Sequence, residues 1–87
     1  MVYRIVWSES AARQLAKFDR SVAKRILERV QELESDPYRL LRRLVGVPYY
    51  RLRVGDFRVI VEVAQDRLLV LVLKVGHRST VYESKLE

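Results

Sequence analysis

The sequence predicts an α+β fold: an N-terminal strand and a two-helix hairpin packed on a mostly antiparallel four-stranded sheet, with a short C-terminal helix. Three observations predict it. Apolar residues recur at helical spacing from Ser8 to Ser35. After Pro48 they fall instead into strand-length segments rich in Val, Leu, Phe and Tyr. Asp36-Pro37 divides the two regimes, because the residue before a proline is pushed out of the helical region.

Each element has its own signal. Val2–Trp7 is rich in β-branched and aromatic residues and reads as a strand. Ser8 is placed to cap the following helix, with Glu9 favourable in its first turn, and Ala11, Leu15 and Phe18 share one face. Asp19 or Ser21 restarts a second helix whose apolar face is Val22, Ile26, Val30 and Leu33, with Ala23 and Leu27 beside it. Tyr38–Val47 reads as a basic connector. Tyr49–Val54, Phe57–Val63 and Leu68–Val75 read as three strands, the first two joined by a Gly55-Asp56 turn. Ser79–Leu86 reads as a short helix, marginal by itself at that length.

Composition narrows the function. At 87 residues the chain is expected to be one domain, residues 1–87, with no room for a separate cofactor-binding unit. It has no cysteine and one histidine, which excludes disulfides, thiol catalysis and a His-rich zinc site, so neither metal nor cofactor is expected. The longest apolar run, Leu68–Leu73, is far below the ~20 residues of a membrane helix, and the expectation is a cytoplasmic protein without a membrane partner. The net charge of +6 reads equally as a surface for a polyanion, through steering and counterion release, or as an Arg-rich surface reflecting genome composition or heat adaptation. That charge is uneven: residues 1–36 carry seven Lys/Arg against six Asp/Glu, and residues 37–87 carry ten against five. Thirteen of the 17 cations are Arg, whose planar fork binds phosphate bidentately.

A two-residue Gly55-Asp56 turn sets a register in which Val54 pairs with Phe57, Arg53 with Arg58, Leu52 with Val59 and Arg51 with Ile60. Tyr50, Leu52, Val54, Phe57, Val59 and Val61 then face the helices, while Arg51, Arg53 and Arg58 gather on the other face. On the last strand, Leu69, Leu71, Leu73 and Val75 are expected to face the helices. Lys74 then joins the cations, flanked by Val70 and Val72, since the opposite parity would bury its charge. Gly76-His77-Arg78 comes back beside Arg53 and Arg58.

The ordered set Tyr50-Arg51-Leu52-Arg53, Gly55-Asp56-Phe57-Arg58-Val59, Val75-Gly76-His77-Arg78 and Tyr82 resembles the RelE toxins of prokaryotic toxin–antitoxin systems, within the RelE/ParE superfamily. The likeness covers nearly the whole chain. It implies a RelE-like toxin domain that cuts mRNA in the ribosomal A site and so stops translation. The implied partners are a RelB-like antitoxin, the ribosome with its A-site mRNA, and operator DNA reached only through the antitoxin complex. The family's functional basic pair falls on Arg51 and Arg53, its next arginine on Arg58, its C-terminal arginine on Arg78 and its tyrosine on Tyr82.

Metal-independent RNA cleavage uses the ribose 2′-OH as nucleophile and needs a base, charge stabilisation for the phosphorane and an acid for the leaving 5′-oxygen. Arg51, Arg53 and Arg58 suit the charge term, and Arg78 suits the leaving oxygen. Tyr82 is read either as a stacking platform or as a base. His77 carries two readings, a general acid or a packing and orienting residue that strand alternation turns away from Arg78. Arg39, Arg42, Arg43 and Lys74 are candidates for RNA contact, and the first three read equally as solvated or antitoxin-facing. A ParE-like toxin that inhibits DNA gyrase by binding, and a basic RNA-binding module without chemistry, are the competing readings.

Overall fold

The computed structural model describes residues 2–81. Strand β1, Arg4–Trp7, leads directly to Ser8, whose hydroxyl accepts the Ala11 N–H at 3.1 Å and starts helix α1, Glu9–Ala16. Helix α2, Arg20–Gln31, follows a short break and runs into a 3-10 turn, Glu32–Glu34. Asp36 leaves the helical region, and Pro37 opens a single-turn helix α3, Pro37–Leu40, at the position where its missing N–H costs nothing. The strands then follow: β2, Leu41–Arg43; β3, Tyr50–Val54; β4, Phe57–Ala64; and β5, Leu69–His77.

The sheet has five strands in the order β1-β5-β4-β3-β2, with β1 parallel to β5 and the other pairs antiparallel. The expectation of four strands is corrected by β2. Leu41, Arg42 and Arg43 pair with Leu52, Arg51 and Tyr50, so part of the expected basic connector is the edge strand. The helices cover one face. Ala11, Ile26, Val30 and Leu33 meet Leu52, Val54, Val59 and Val61 in the core, and Trp7 packs at its margin. Phe18 tilts against Phe57 with ring centres 5.1 Å apart. The β3–β4 register is the one expected from the Gly55-Asp56 turn, pair for pair from Tyr50–Val61 to Val54–Phe57.

β5 departs from simple alternation. Val61 pairs with Val72, but Ile60 pairs with Lys74, so Leu73 is an extra residue at a bulge. Val70 and Val72 are therefore core residues at 0% exposure, as is Val75 at 2% on the far side of the bulge. The expectation that Leu69, Leu71 and Leu73 face the helices is corrected for this reason. One inserted residue lets Val72 and Val75 both point inward while Lys74 points to the other face.

β1 ends at Trp7, so β5 beyond Val72 has no strand on that side. Helix α1 supplies the missing partners. The Ser8 hydroxyl donates to the Leu73 carbonyl at 3.2 Å, and the Gln14 side-chain carbonyl accepts the Val75 N–H at 2.8 Å. Gln14→Leu leaves that N–H orphaned inside the fold. It is expected to cost about 2 kcal/mol, read as a fall of roughly 10 °C in the thermal midpoint. Gln14→Glu keeps an acceptor at the same place and is expected to retain most of the stability, which a pair of circular-dichroism melts checks.

Beyond β5 the chain turns. The His77 carbonyl accepts the N–H groups of Thr80 and Val81, and Val81 is buried. The remainder of the expected C-terminal helix, Tyr82 included, lies outside the described residues.

Candidate functional site

The face of the sheet opposite the helices gathers the cations by strand alternation alone. Arg42 on β2 stands opposite Arg51 on β3, and Arg53 on β3 stands opposite Arg58 on β4. Arg51 continues across the sheet to Ile60 and then Lys74, and Arg58 continues to Gly76. Two rows result, Arg42–Arg51–Ile60–Lys74 and Arg53–Arg58–Gly76. At the usual strand spacing the first spans about 14 Å. Two arginine pairs facing each other cost roughly 0.2–1 kcal/mol apiece. Among the described residues no ion pair reaches Arg42, Arg51 or Arg53 to offset this. Glu62 lies on the same face, beyond the cationic rows and opposite Leu71.

Arg58 is the most firmly held of the set. It is 8% exposed, and its Nη1 donates to the carbonyls of Gly55 at 2.8 Å and Phe57 at 2.9 Å. These contacts turn one edge of the guanidinium towards the hairpin backbone and fix its plane. Gly76 stands opposite it at a close approach. A Cβ there would lie 3.3 Å from the Cβ of Val81, which folds over the strand. Lys74 is 9% exposed, and burial holds its amine below the usual lysine range. Arg51 is half-buried and Arg53 exposed, so the face grades from buried to exposed cations across one hairpin.

Arg78 joins this face at its lower end. Its backbone N–H donates to the Asp56 carbonyl at 2.8 Å, which extends the β4–β5 pairing by one residue. Its Nε lies 3.9 Å from the Asp56 carboxylate, a long and exposed contact that holds the guanidinium only weakly. His77 points the other way. It pairs with Phe57 on the helix side of the sheet, ring edge to ring face at 5.6 Å. Its Nδ1 accepts the Ser79 N–H at 3.1 Å and lies 2.7 Å from the Ser79 hydroxyl. The geometry is that of a residue bracing the turn that carries Arg78.

The basic connector divides. Arg42 is on the cationic face. Arg43 alternates to the helix side, where its guanidinium carbon lies 5.7 Å from the Tyr50 ring centre and its Nη1 donates to the Tyr50 hydroxyl at 3.4 Å. Arg39 is exposed on α3, on neither row. The membership of Arg42 escapes sequence reasoning because it depends on β2, and three residues without a β-branched side chain carry no strand signal. Among the described residues no group of three His, Asp or Glu side chains is placed to hold a metal ion, and no helix is long and apolar enough to cross a membrane.

A cationic face of this kind has the chemistry to hold phosphates of an extended strand and to stabilise charge developing on one of them. Comparison with known proteins bears on which. Residues 5–82 match the family model of the ParE toxin of the type II toxin–antitoxin system parDE. A putative RelE-like toxin protein of Escherichia coli is 25% identical over 87 residues, covering 94% of this chain and 92% of that protein. The toxin in the RelE–RelB complex of Pyrococcus horikoshii is similar at 28% identity, with a TM-score of 0.79, covering 92% of this chain and 99% of that one. The isolated RelE toxin of E. coli is similar at 26% identity with a TM-score of 0.74, covering 93% and 92%. The RelBE2 complex of Mycobacterium tuberculosis shares the fold, with a TM-score of 0.81 at 22% identity over 91% and 94% of the two chains.

Proposed function

We propose, given that the chain belongs to the ParE toxin family of type II toxin–antitoxin systems and is a toxin of the RelE kind, that it is a metal-independent endoribonuclease acting on mRNA in the ribosomal A site. The observation that carries this reading is the pair of cross-strand arginine couples, Arg42–Arg51 and Arg53–Arg58, on the sheet face opposite the helices, with Arg78 at its end. Facing arginines are disfavoured in isolation and become favourable when phosphates sit between them.

In the reaction, the ribose 2′-oxygen forms a bond to the adjacent phosphorus as its proton passes to a base. The bond from phosphorus to the 5′-oxygen breaks, and that oxygen takes up a proton. The products are a 2′,3′-cyclic phosphate and a 5′-hydroxyl. Arg51, Arg53 and Arg58 stabilise the phosphorane, Arg58 with the best-fixed geometry. Arg78 stabilises the departing oxygen, with His77 bracing its turn. Tyr82 stacks on a base or takes the 2′-OH proton. Arg42 and Lys74 hold flanking phosphates, and Arg39 and Arg43 lie where a surrounding ribosome, rather than the substrate strand, would meet them. Strong acid–base groups are few, so the ribosome supplies the orientation of the reacting atoms, a term worth several kcal/mol, about 7–11 when complete.

The solved relatives from P. horikoshii and M. tuberculosis are complexes with RelB partners. By the same reading this toxin is silenced by a RelB-like, acidic antitoxin that neutralises the cationic face and carries the complex to operator DNA. A second reading, gyrase inhibition by binding, is favoured by the ParE name of the family model. One experiment separates the two. The protein is added to ribosomes programmed with a defined A-site codon, and 5′ ends are mapped. Cuts within the A-site codon that require ribosomes support the nuclease. Intact mRNA at saturating protein, with inhibition in a gyrase supercoiling assay, supports the second reading.

A further inference from the structure

The positive surface does not stop at the edge of the sheet. β2 pairs with Tyr50–Leu52 only, so the outer side of β3 from Arg53 to Gly55 has no strand beside it. Helix α2 faces this stretch across a cleft of about 480 Å³. The helix contributes Arg25, Glu28 and Arg29, the 3-10 turn after it contributes Glu32, and the hairpin contributes Arg53 and Gly55 with Val54 between them. Arg29 is committed to Glu32 at 2.9 Å. Arg25 is held differently. Its guanidinium lies over the turn so closely that a Cβ on Gly55 would sit 2.6 Å from its Nη2. Gly55, at φ +57, is needed for the turn, and a side chain there would also displace the guanidinium above it. Among the described residues no ion pair reaches Arg25 or Arg53.

We propose that this cleft is a second phosphodiester-binding site for single-stranded RNA, in which Arg25 and Arg53 hold a backbone phosphate of a strand continuing round the hairpin edge from the open face. Arg53 belongs to both surfaces, so the cationic rows and the cleft form one track. An acidic peptide is the rival ligand, but protein partners anchor through buried aliphatic or aromatic contacts, and Val54 is the one such group in the lining. A guanidinium with its edge exposed beside a second arginine fits a phosphate's paired oxygens. Glu28 is the opposing charge, and it sets the affinity.

The proposal rests on the RNA-directed reading above only in its choice of ligand, and its test uses no cleavage. A 5′-labelled, fully 2′-O-methylated 12-nucleotide RNA is titrated by fluorescence anisotropy between 50 and 200 mM KCl, the concentrations over which counterion release is read. Each phosphate neutralised on a single strand contributes about −0.7 to the slope of log K against log salt. Arg25→Gln is expected to flatten the slope by about 0.7 and to weaken binding several-fold, while Arg25→Lys keeps the slope. Glu28→Gln is expected to tighten binding at low salt. Arg13→Gln, on the far helix and paired with Glu9, leaves the slope unchanged. Equal slopes for the parent and Arg25→Gln overturn the proposal. So does a parent that does not bind this RNA, or displacement by poly-glutamate as effective as by unlabelled RNA. Intact mRNA on ribosomes with the slope difference present counts against the nuclease reading alone. Equal slopes with cleavage present count against the cleft alone.

Discussion

Arg78→Ala is expected to lower the rate of ribosome-dependent mRNA cleavage by about a hundred- to a thousandfold, the usual effect of removing one donor aimed at developing charge. The same substitution is expected to cost less than about 1 kcal/mol of stability. The two numbers separate because of how Arg78 is held. Its place in the fold comes from its backbone N–H on the Asp56 carbonyl and from the His77 turn, both of which survive truncation of the side chain. The side chain itself makes one long, exposed contact at 3.9 Å. Mapping 5′ ends on programmed ribosomes gives the first number and a thermal melt gives the second. Cleavage at the parental rate would remove Arg78 from the reaction.

Val72→Lys is expected to leave the chain unfolded, whereas Leu71→Lys, one residue earlier, is expected to stay within about 1 kcal/mol of the parent. The contrast tests the bulge at Leu73. Val72 is at 0% exposure among Val59, Val61 and Val70, and an unpaired ammonium there costs several kcal/mol. A domain of this size has about 5–15 kcal/mol in total. Leu71 lies on the other face directly opposite Glu62, so a lysine there meets a carboxylate across the strand. Unbroken alternation with Lys74 outward would reverse both outcomes. Soluble yield and urea midpoints decide between them.

How far the sequence could be read depends on where its pattern carries a polar marker. The β3–β4 register was legible because Gly55-Asp56 defines a turn and arginines alternate with apolar residues on both sides of it. From that register alone, Arg51, Arg53 and Arg58 share a face, and the structure has them so. Both helix faces were legible for the same reason: Ile26, Val30 and Leu33 recur among charges and are buried. β5 was not, because Leu69–Leu73 is apolar throughout and Lys74 alone cannot reveal a bulge two residues away from a core valine. β2 was missed because its pairing is a tertiary event imposed on three residues of weak propensity. Arg25 read as an ordinary charge on a helix surface, since its contact with Gly55 joins segments 30 residues apart. The two carbonyls that hold Arg58 are likewise invisible in a one-dimensional pattern.

The position of β5 between β1 and β4 has a consequence in time. β5 is the latest of the three in the chain and, among the described residues, the only strand that β1 touches. At ordinary synthesis rates of about 5–20 residues per second, β1 waits several seconds for a partner. The β3–β4 hairpin, joined by a two-residue turn, needs only microseconds, about 1–10, once made. The arginines of the hairpin can therefore exist as a local structure before the strand that brings Arg78 to them. β5 is joined to β4 by a short turn, so Arg78 reaches the hairpin arginines by local pairing, whereas the β1–β5 pairing needs the closure of a loop that spans most of the molecule. On the proposed function, the complete cationic site thus forms only after the ribosome making the chain has released that final strand.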